Sequence, residues 1–116
     1  METNRFSIIY SFKIFEGKEE EFIRCWIELT QLIYEFEGSY GSKLHKVDAH
    51  LFIAYAQWPD RETFEQSGAR MPEIAQKYRK EMRECCEEIK SEFELNSIVV
   101  DLIEEKQHPD FKPANS

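Results

Sequence analysis

The chain reads as an α+β domain in the order strand, helix, strand, strand, helix, strand: a four-stranded antiparallel sheet with both helices on one face. Three observations carry that reading. Phe6 to Phe15 alternates in hydrophobicity with a period of two. Two long segments place apolar residues at helical spacing. An apolar run, Leu51 to Trp58, is cut off by Pro59 and followed at once by Asp60, a residue suited to cap a helix.

In the first strand, Phe6, Ile8, Tyr10, Phe12 and Ile14 face one way, and Ser7, Ile9, Ser11, Lys13 and Phe15 the other. Glu16-Gly17-Lys18 makes a turn into a helix from about Lys18 to Phe36. Its stripe is Phe22, Cys25, Trp26, Leu29, Ile33 and Phe36, and Glu19, Glu20 and Glu21 complement the dipole in its first turn. Glu37-Gly38-Ser39 breaks this helix. Tyr40 to Val47 is a more polar strand, joined through Asp48-Ala49-His50 to the strand Leu51 to Trp58 as a hairpin. Asp60 to Ser67 is a short helix ended by Gly68. A second long helix is expected from about Met71 or Pro72 to Phe93, with Ile74, Tyr78, Met82, Cys85, Ile89 and Phe93 as its stripe. Leu95 to Ile103 is expected as the last strand. The order is that of the ferredoxin-like fold, occupying residues 1–104, with a polar tail over residues 105–116.

The composition narrows the partners. The 116 residues make one domain with a modest core. A formal charge of −8 disfavours nucleic acid and anionic membrane. No apolar stretch reaches the roughly 18 residues of a spanning helix, and the N-terminus shows no signal pattern, so a cytoplasmic location is expected. Cys25, Cys85 and Cys86 lack CxxC spacing and a matching histidine pair. They read as small apolar residues partly in the core rather than as a zinc site or a disulfide framework. There is no metal-ligand spacing and no glycine-rich nucleotide loop, so no cofactor is expected.

Two surfaces of the sheet bear on function. On the helix side, Phe52, Ala54, Ala56 and Trp58 share a face, and two small side chains beside a large indole leave room that a packed core would fill. A flat organic molecule fits such a gap, with Trp58 as its wall. Tyr10, Phe12, Trp26, Phe64 and Tyr78 are the other residues expected around it. The opposite face carries Ile9, Phe15, Leu51, Ile53 and Tyr55, plus alternate residues of the last strand. Six or so such side chains make an apolar patch of several hundred Å2, and burying it at about 25 cal/mol per Å2 is worth several kcal/mol. The economical cover is a second copy, sheet against sheet, in a homodimer.

At this point the residues resemble a family. Phe15-Glu16-Gly17-Lys18 running into Glu20-Glu21-Phe22, the Phe36-Glu37-Gly38 helix exit, and Gln57-Trp58 before Asp60-Arg61-Glu62-Thr63-Phe64 are similar to the antibiotic biosynthesis monooxygenase domain family, over roughly Phe6 to Ile103. The resemblance implies a dimeric α/β barrel. It also implies one of several activities: cofactor-independent oxygenation of polycyclic phenols, quinol oxygenation, or haem degradation. Trp58 matches the tryptophan used by the haem-degrading members, but Tyr10 stands where they have asparagine and Gly68 where they have histidine. Haem cleavage is therefore disfavoured. Gly68-Ala69-Arg70 also lacks the histidine that many oxygenase-type relatives carry after the short helix.

The resemblance and the Ala54/Ala56/Trp58 face together motivate a catalytic set of Trp58, Tyr10 and His45. Oxygenation without flavin or metal needs a substrate that gives up electrons itself, donors to hold its oxyanion, and a dry pocket. Tyr10 and His45 are the candidates to donate or shuttle a proton, and Trp58 to position the ring. Each has a plainer reading: Trp58 as a cap on the core, Tyr10 as a phenol bonded to backbone, and His45, beside Lys43 and Lys46, as a surface residue. The expected function is a small monooxygenase acting on an aromatic or quinol-type molecule. The alternatives are a non-catalytic dimeric binding module for an apolar metabolite and, third, a haem binder.

Overall fold

The structure, a computed structural model, describes residues 4–102. Its elements are β1 (Phe6–Ile14), α1 (Glu19–Glu37), β2 (Gly41–Asp48), β3 (Leu51–Trp58), α2 (Arg61–Glu65), α3 (Ile74–Glu84) and β4 (Cys86–Leu95). The strands form one antiparallel sheet in the order β2-β3-β1-β4. Among the described residues no helix is long and apolar enough to cross a membrane.

β1 is central because its alternation gives it a fully apolar face. Phe6, Ile8, Phe12 and Ile14 are buried on the helix side. β3 pairs with it in the register Phe6↔Trp58, Ile8↔Ala56, Tyr10↔Ala54 and Phe12↔Phe52, so the buried residues of both strands share one face. α1 lays Phe22, Cys25 and Leu29 on that face. Phe22 is fully buried between two rings, with centroids 5.0 Å from Phe12 and 5.4 Å from Phe52. α1 stops at Gly38, which is left-handed at φ 79°, a region that side chains with a Cβ enter at a cost. Asp60 caps α2 as its position predicts, accepting a bond of 2.8 Å from the Thr63 N–H.

Three polar ties, two of them made by the buried Glu37, fix the turn out of α1. Glu37, 1% exposed, accepts from the Gly68 N–H with one carboxylate oxygen. Its other oxygen lies 3.3 Å from Arg70 Nε, an ion pair rather than an aligned hydrogen bond. Arg70 Nε in turn donates to the Phe36 carbonyl. The connection after α2 is thereby pinned to the end of α1.

The second half of the chain departs from the expected pattern. The helix expected to reach Phe93 ends at Glu84, Cys85 is its cap, and the last strand is Cys86–Leu95 rather than Leu95–Ile103. Ile89 and Phe93, four residues apart, fit a helical stripe, and the intervening Glu and Lys favour a helix locally. The free edge of β1 overrides that preference, because an unpaired central strand leaves its backbone groups unsatisfied. A bulge where Ile9↔Phe93 gives way to Tyr10↔Ser91 shifts the alternation. As a result Ile89, opposite Phe12, points to the helices, and Phe93, opposite Ile9, to the other face. Past Leu95, Ile98 makes only an isolated bridge. Ile103 and the tail over residues 105–116 lie outside the described residues.

The helix-free face carries Ile9, Leu51, Ile53 and Tyr55 as the alternation predicts, joined by Phe93 and Leu95. Phe15 lies beyond the end of β1 and so is not part of it. The polar residues of this face are bonded: Ser7 Oγ donates to the Tyr55 hydroxyl (3.1 Å), Ser11 Oγ donates to Glu92 (2.7 Å), and Lys13 pairs with Glu88 (3.4 Å).

Gly38→Ala should cost about 1–2 kcal/mol, the penalty of a Cβ in the left-handed region. The Cβ itself meets only Thr63 Cγ2 at 3.5 Å, an ordinary contact. Urea denaturation checks this, and an unchanged midpoint would mean that α1 is not held at that turn.

Candidate functional site

The core is divided. One buried cluster joins Phe12, Ile14, Phe22, Phe52, Ala54, Cys85 and Cys86; the other joins Phe6, Ile8, Ala56 and Trp58. Tyr10 packs against both. Between them, where β3 offers only the methyls of Ala54 and Ala56, lies a cavity of about 200 Å3.

All four strands and two helices line it. Ala54 and Ala56 form the floor with Tyr10 beside them, and Trp58 closes one end. α1 covers it with Trp26, Leu29, Thr30 and Ile33, and Met82 of α3 closes the other end near Phe12 and Ile89. Ser39 and Ser42 complete the rim. Thr30 and Ser42 also line a shallow surface depression beside Gln31, Tyr34 and Glu35, which marks the mouth between α1 and β2.

Trp58 is 4% exposed and held from behind. Phe64 meets it edge to face at 5.5 Å and stacks, tilted, on Phe6 at 5.0 Å. Arg61 lies over the Phe6 ring at 4.7 Å and pairs with Glu94 at 2.8 Å, which ties α2 to β4. The indole is thus a wall braced by a short helix.

The cavity's chemistry is that of hydroxyls on an apolar surface. No lining residue is charged. Ser39 is already engaged, donating to the Gln57 carbonyl (3.2 Å) and accepting from the Gly41 N–H (2.9 Å). Among the described residues nothing hydrogen-bonds the Tyr10 hydroxyl. Burial, reinforced by the negative charge of Glu94, pushes its pKa above the ordinary 10.0. At neutral pH it is therefore a proton-bearing donor. Among the described residues no three of His, Cys, Asp and Glu are grouped to hold a metal ion. The three thiols are buried in the core, and burial, with the charge of Cys85 added, raises Cys86 to about 12.

Of the expected site residues, Tyr10, Phe12, Trp26, Ala54, Ala56 and Trp58 line the cavity. Three do not. His45 is opposite Ile53 in the β2–β3 register, which turns it to the helix-free face, where it is exposed. Phe64 sits behind Trp58, because α2 begins only after β3 has ended. Tyr78 lies one turn short, and Met82 reaches the cavity in its place. Several lining residues went unassigned: Leu29, Ile33 and Met82, although their helical stripes are visible, and Ser42, which the register sets opposite Ala56. Ile89 reaches the cavity from β4 rather than from the helix that its spacing predicts.

Known structures with this architecture include SnoaB, a cofactor-independent oxygenase from Streptomyces nogalater, at a TM-score of 0.65 and 12% identity, covering 85% of this chain and 95% of that one. A candidate antibiotic biosynthesis monooxygenase from Nitrosomonas europaea superposes at 0.68 with 12% identity, covering 81% and 90%. The chain has the antibiotic biosynthesis monooxygenase fold. Similar in the same way is a candidate oxidoreductase of unknown function from Bacteroides thetaiotaomicron, at 0.65 and 19% identity, covering 80% and 99%. No protein-family model and no curated protein sequence matches the chain.

Tyr10→Phe should cost less than about 1 kcal/mol, since no protein hydrogen bond is lost. The wild type should also lose stability relative to the variant above pH 10. There the unfolded chain ionises its tyrosine while the folded one, with its raised pKa, does not; below pH 10 the two should run parallel. Urea midpoints from pH 7 to 11 test both, and a large loss at neutral pH would mean that the hydroxyl has a structural partner.

Proposed function

We propose that the protein is a cofactor-independent monooxygenase acting on an aromatic or quinol-type small molecule bound in the cavity between Trp58 and Met82. The observation that carries this is an apolar cavity, left open by Ala54 and Ala56, that presents the protonated Tyr10 hydroxyl, which no described residue hydrogen-bonds, in a fold shared with a cofactor-independent oxygenase. The reaction balances without an added reductant. A phenol of the naphthol type and one O2 give the quinone and one water; one oxygen atom forms the new carbonyl, and the other leaves with two hydrogens of the substrate. The substrate is oxidised and O2 is reduced.

Trp58, braced by Phe64, positions the ring. Tyr10 donates a hydrogen bond to the substrate oxygen, and that bond strengthens as the oxygen gains charge on ionisation. The proton leaves through water at the Thr30/Ser42 mouth, since the lining holds neither carboxylate nor imidazole. The apolar cover protects the carbanion-like intermediate from protonation.

The same absence of a base favours a second reading, a non-catalytic binding module for an apolar metabolite. Haem fits least well, because about 200 Å3 is far too small for a porphyrin. We also infer a homodimer through the helix-free face, where Ile9, Ile53, Phe93 and Leu95 form an apolar centre; Phe93 is 63% exposed in the single chain. A cytoplasmic location is supported by three free thiols.

Dissolved oxygen should fall when the protein meets a phenol or quinol that raises its melting midpoint. Tyr10→Phe should lower kcat/KM by about 100-fold, the scale of one oxyanion donor, and Trp58→Ala should abolish uptake. Binding without oxygen consumption would select the binding module. Sedimentation should give a dimer that Phe93→Asp converts to a monomer, and a monomeric wild type would remove the proposed interface.

A further inference from the structure

We propose that the cavity admits only an uncharged ligand of one or two fused aromatic rings with a single hydrogen-bonding oxygen, and that Met82 sets the upper limit on its length. This rests on the site assigned above and limits it in two ways, by volume and by charge.

An apolar cavity of about 150 Å3 takes benzene, and drug-sized ligand sites begin near 300 Å3. The space here, about 200 Å3, lies between them. That comparison sets the limit at one or two fused rings rather than three. Its long direction runs along the strands from Trp58, at the level of Phe6, to Met82, which packs on the cluster of Phe12 and Phe52. Trp58 is immobilised by Phe64, whereas Met82 is a flexible side chain, half-buried on α3. A longer ligand therefore meets Met82, and truncating it opens the far end.

Charge sets the second limit. With no charged lining residue, a carboxylate inside would lose its hydration without gaining a counter-ion. Tyr10, beside Ala54, offers a donor that no described residue bonds; the hydroxyls of Thr30 and Ser42 stand at the solvent-facing mouth, and Ser39 is occupied. A single oxygen, placed toward Tyr10, matches that inventory.

Isothermal titration at neutral pH with phenol, 2-naphthol, anthracen-2-ol and 6-hydroxy-2-naphthoic acid tests this. The wild type should bind 2-naphthol most tightly, at least about tenfold above anthracen-2-ol and about 100-fold above the acid. Met82→Ala should gain anthracen-2-ol binding about tenfold without gaining the acid. Ala56→Val, which narrows the floor and does not depend on the stability of the Met82 variant, should weaken 2-naphthol more than phenol. Equal binding of the three-ring phenol by the wild type, preference for the acid, or binding of none of the four would overturn the proposal. Binding of 2-naphthol without oxygen uptake would leave the ligand class standing and overturn only the oxygenase reading.

Discussion

Everything at the site depends on two methyl groups. Ala54 and Ala56 stand opposite Tyr10 and Ile8 in the sheet, at the level where a single apolar core would otherwise be continuous. Larger residues there would join the two buried clusters and remove the cavity. An unfilled space forfeits dispersion contacts along its whole lining, so this chain gives up core packing in the middle of its sheet. The loss is confined by fully buried aromatic packing on one side, around Phe22, and by the Phe6–Phe64–Trp58 stack on the other.

The rigid frame around the gap comes from polar ties at its Trp58 end. Asp60 starts α2, Arg61 joins it to Glu94 of β4, and Glu37 draws Gly68 and Arg70 back to the end of α1. The contacts of Arg61 and Glu37 connect elements far apart in sequence, and with the local Asp60 cap they fix α2, which carries Phe64 behind the indole. The far end, by contrast, is closed by Met82. A site with one braced wall and one compliant wall can fix a ring's orientation and still adjust to its length.

The electrostatics follow from the same geometry. The chain is strongly acidic, yet no charged side chain lines the cavity; Glu94 of β4 acts on Tyr10 only from outside the lining. A donor that stays protonated suits the recognition of a phenol and the stabilisation of its anion; it does not suit the removal of a proton. In the proposed oxygenase, proton removal would pass to solvent at the mouth between α1 and β2, so the proposed oxygenase and the binding module share one cavity and differ only in turnover.

Much of this was written locally in the sequence. The alternation of β1 and β3, the α1 stripe, the Gly38 exit and the Asp60 cap are short-range patterns, and they fixed the first two-thirds of the fold and the Ala54/Ala56/Trp58 face. The last third was not legible. Cys86 to Leu95 carries a helical pattern locally and becomes a strand only because the open edge of β1 needs a partner, with a bulge that separates Ile89 from Phe93. The face of His45 was open for a related reason: alternation gives two faces but does not say which one meets the helices, and only the pairing with Ile53 turns it to the surface, its plainer reading, and away from the cavity. The sequence alone thus determined which residues could share a face. Tertiary structure decided which face, which neighbour and how much space remained, because strand pairing and cavity volume are set by contacts between residues that no local pattern relates.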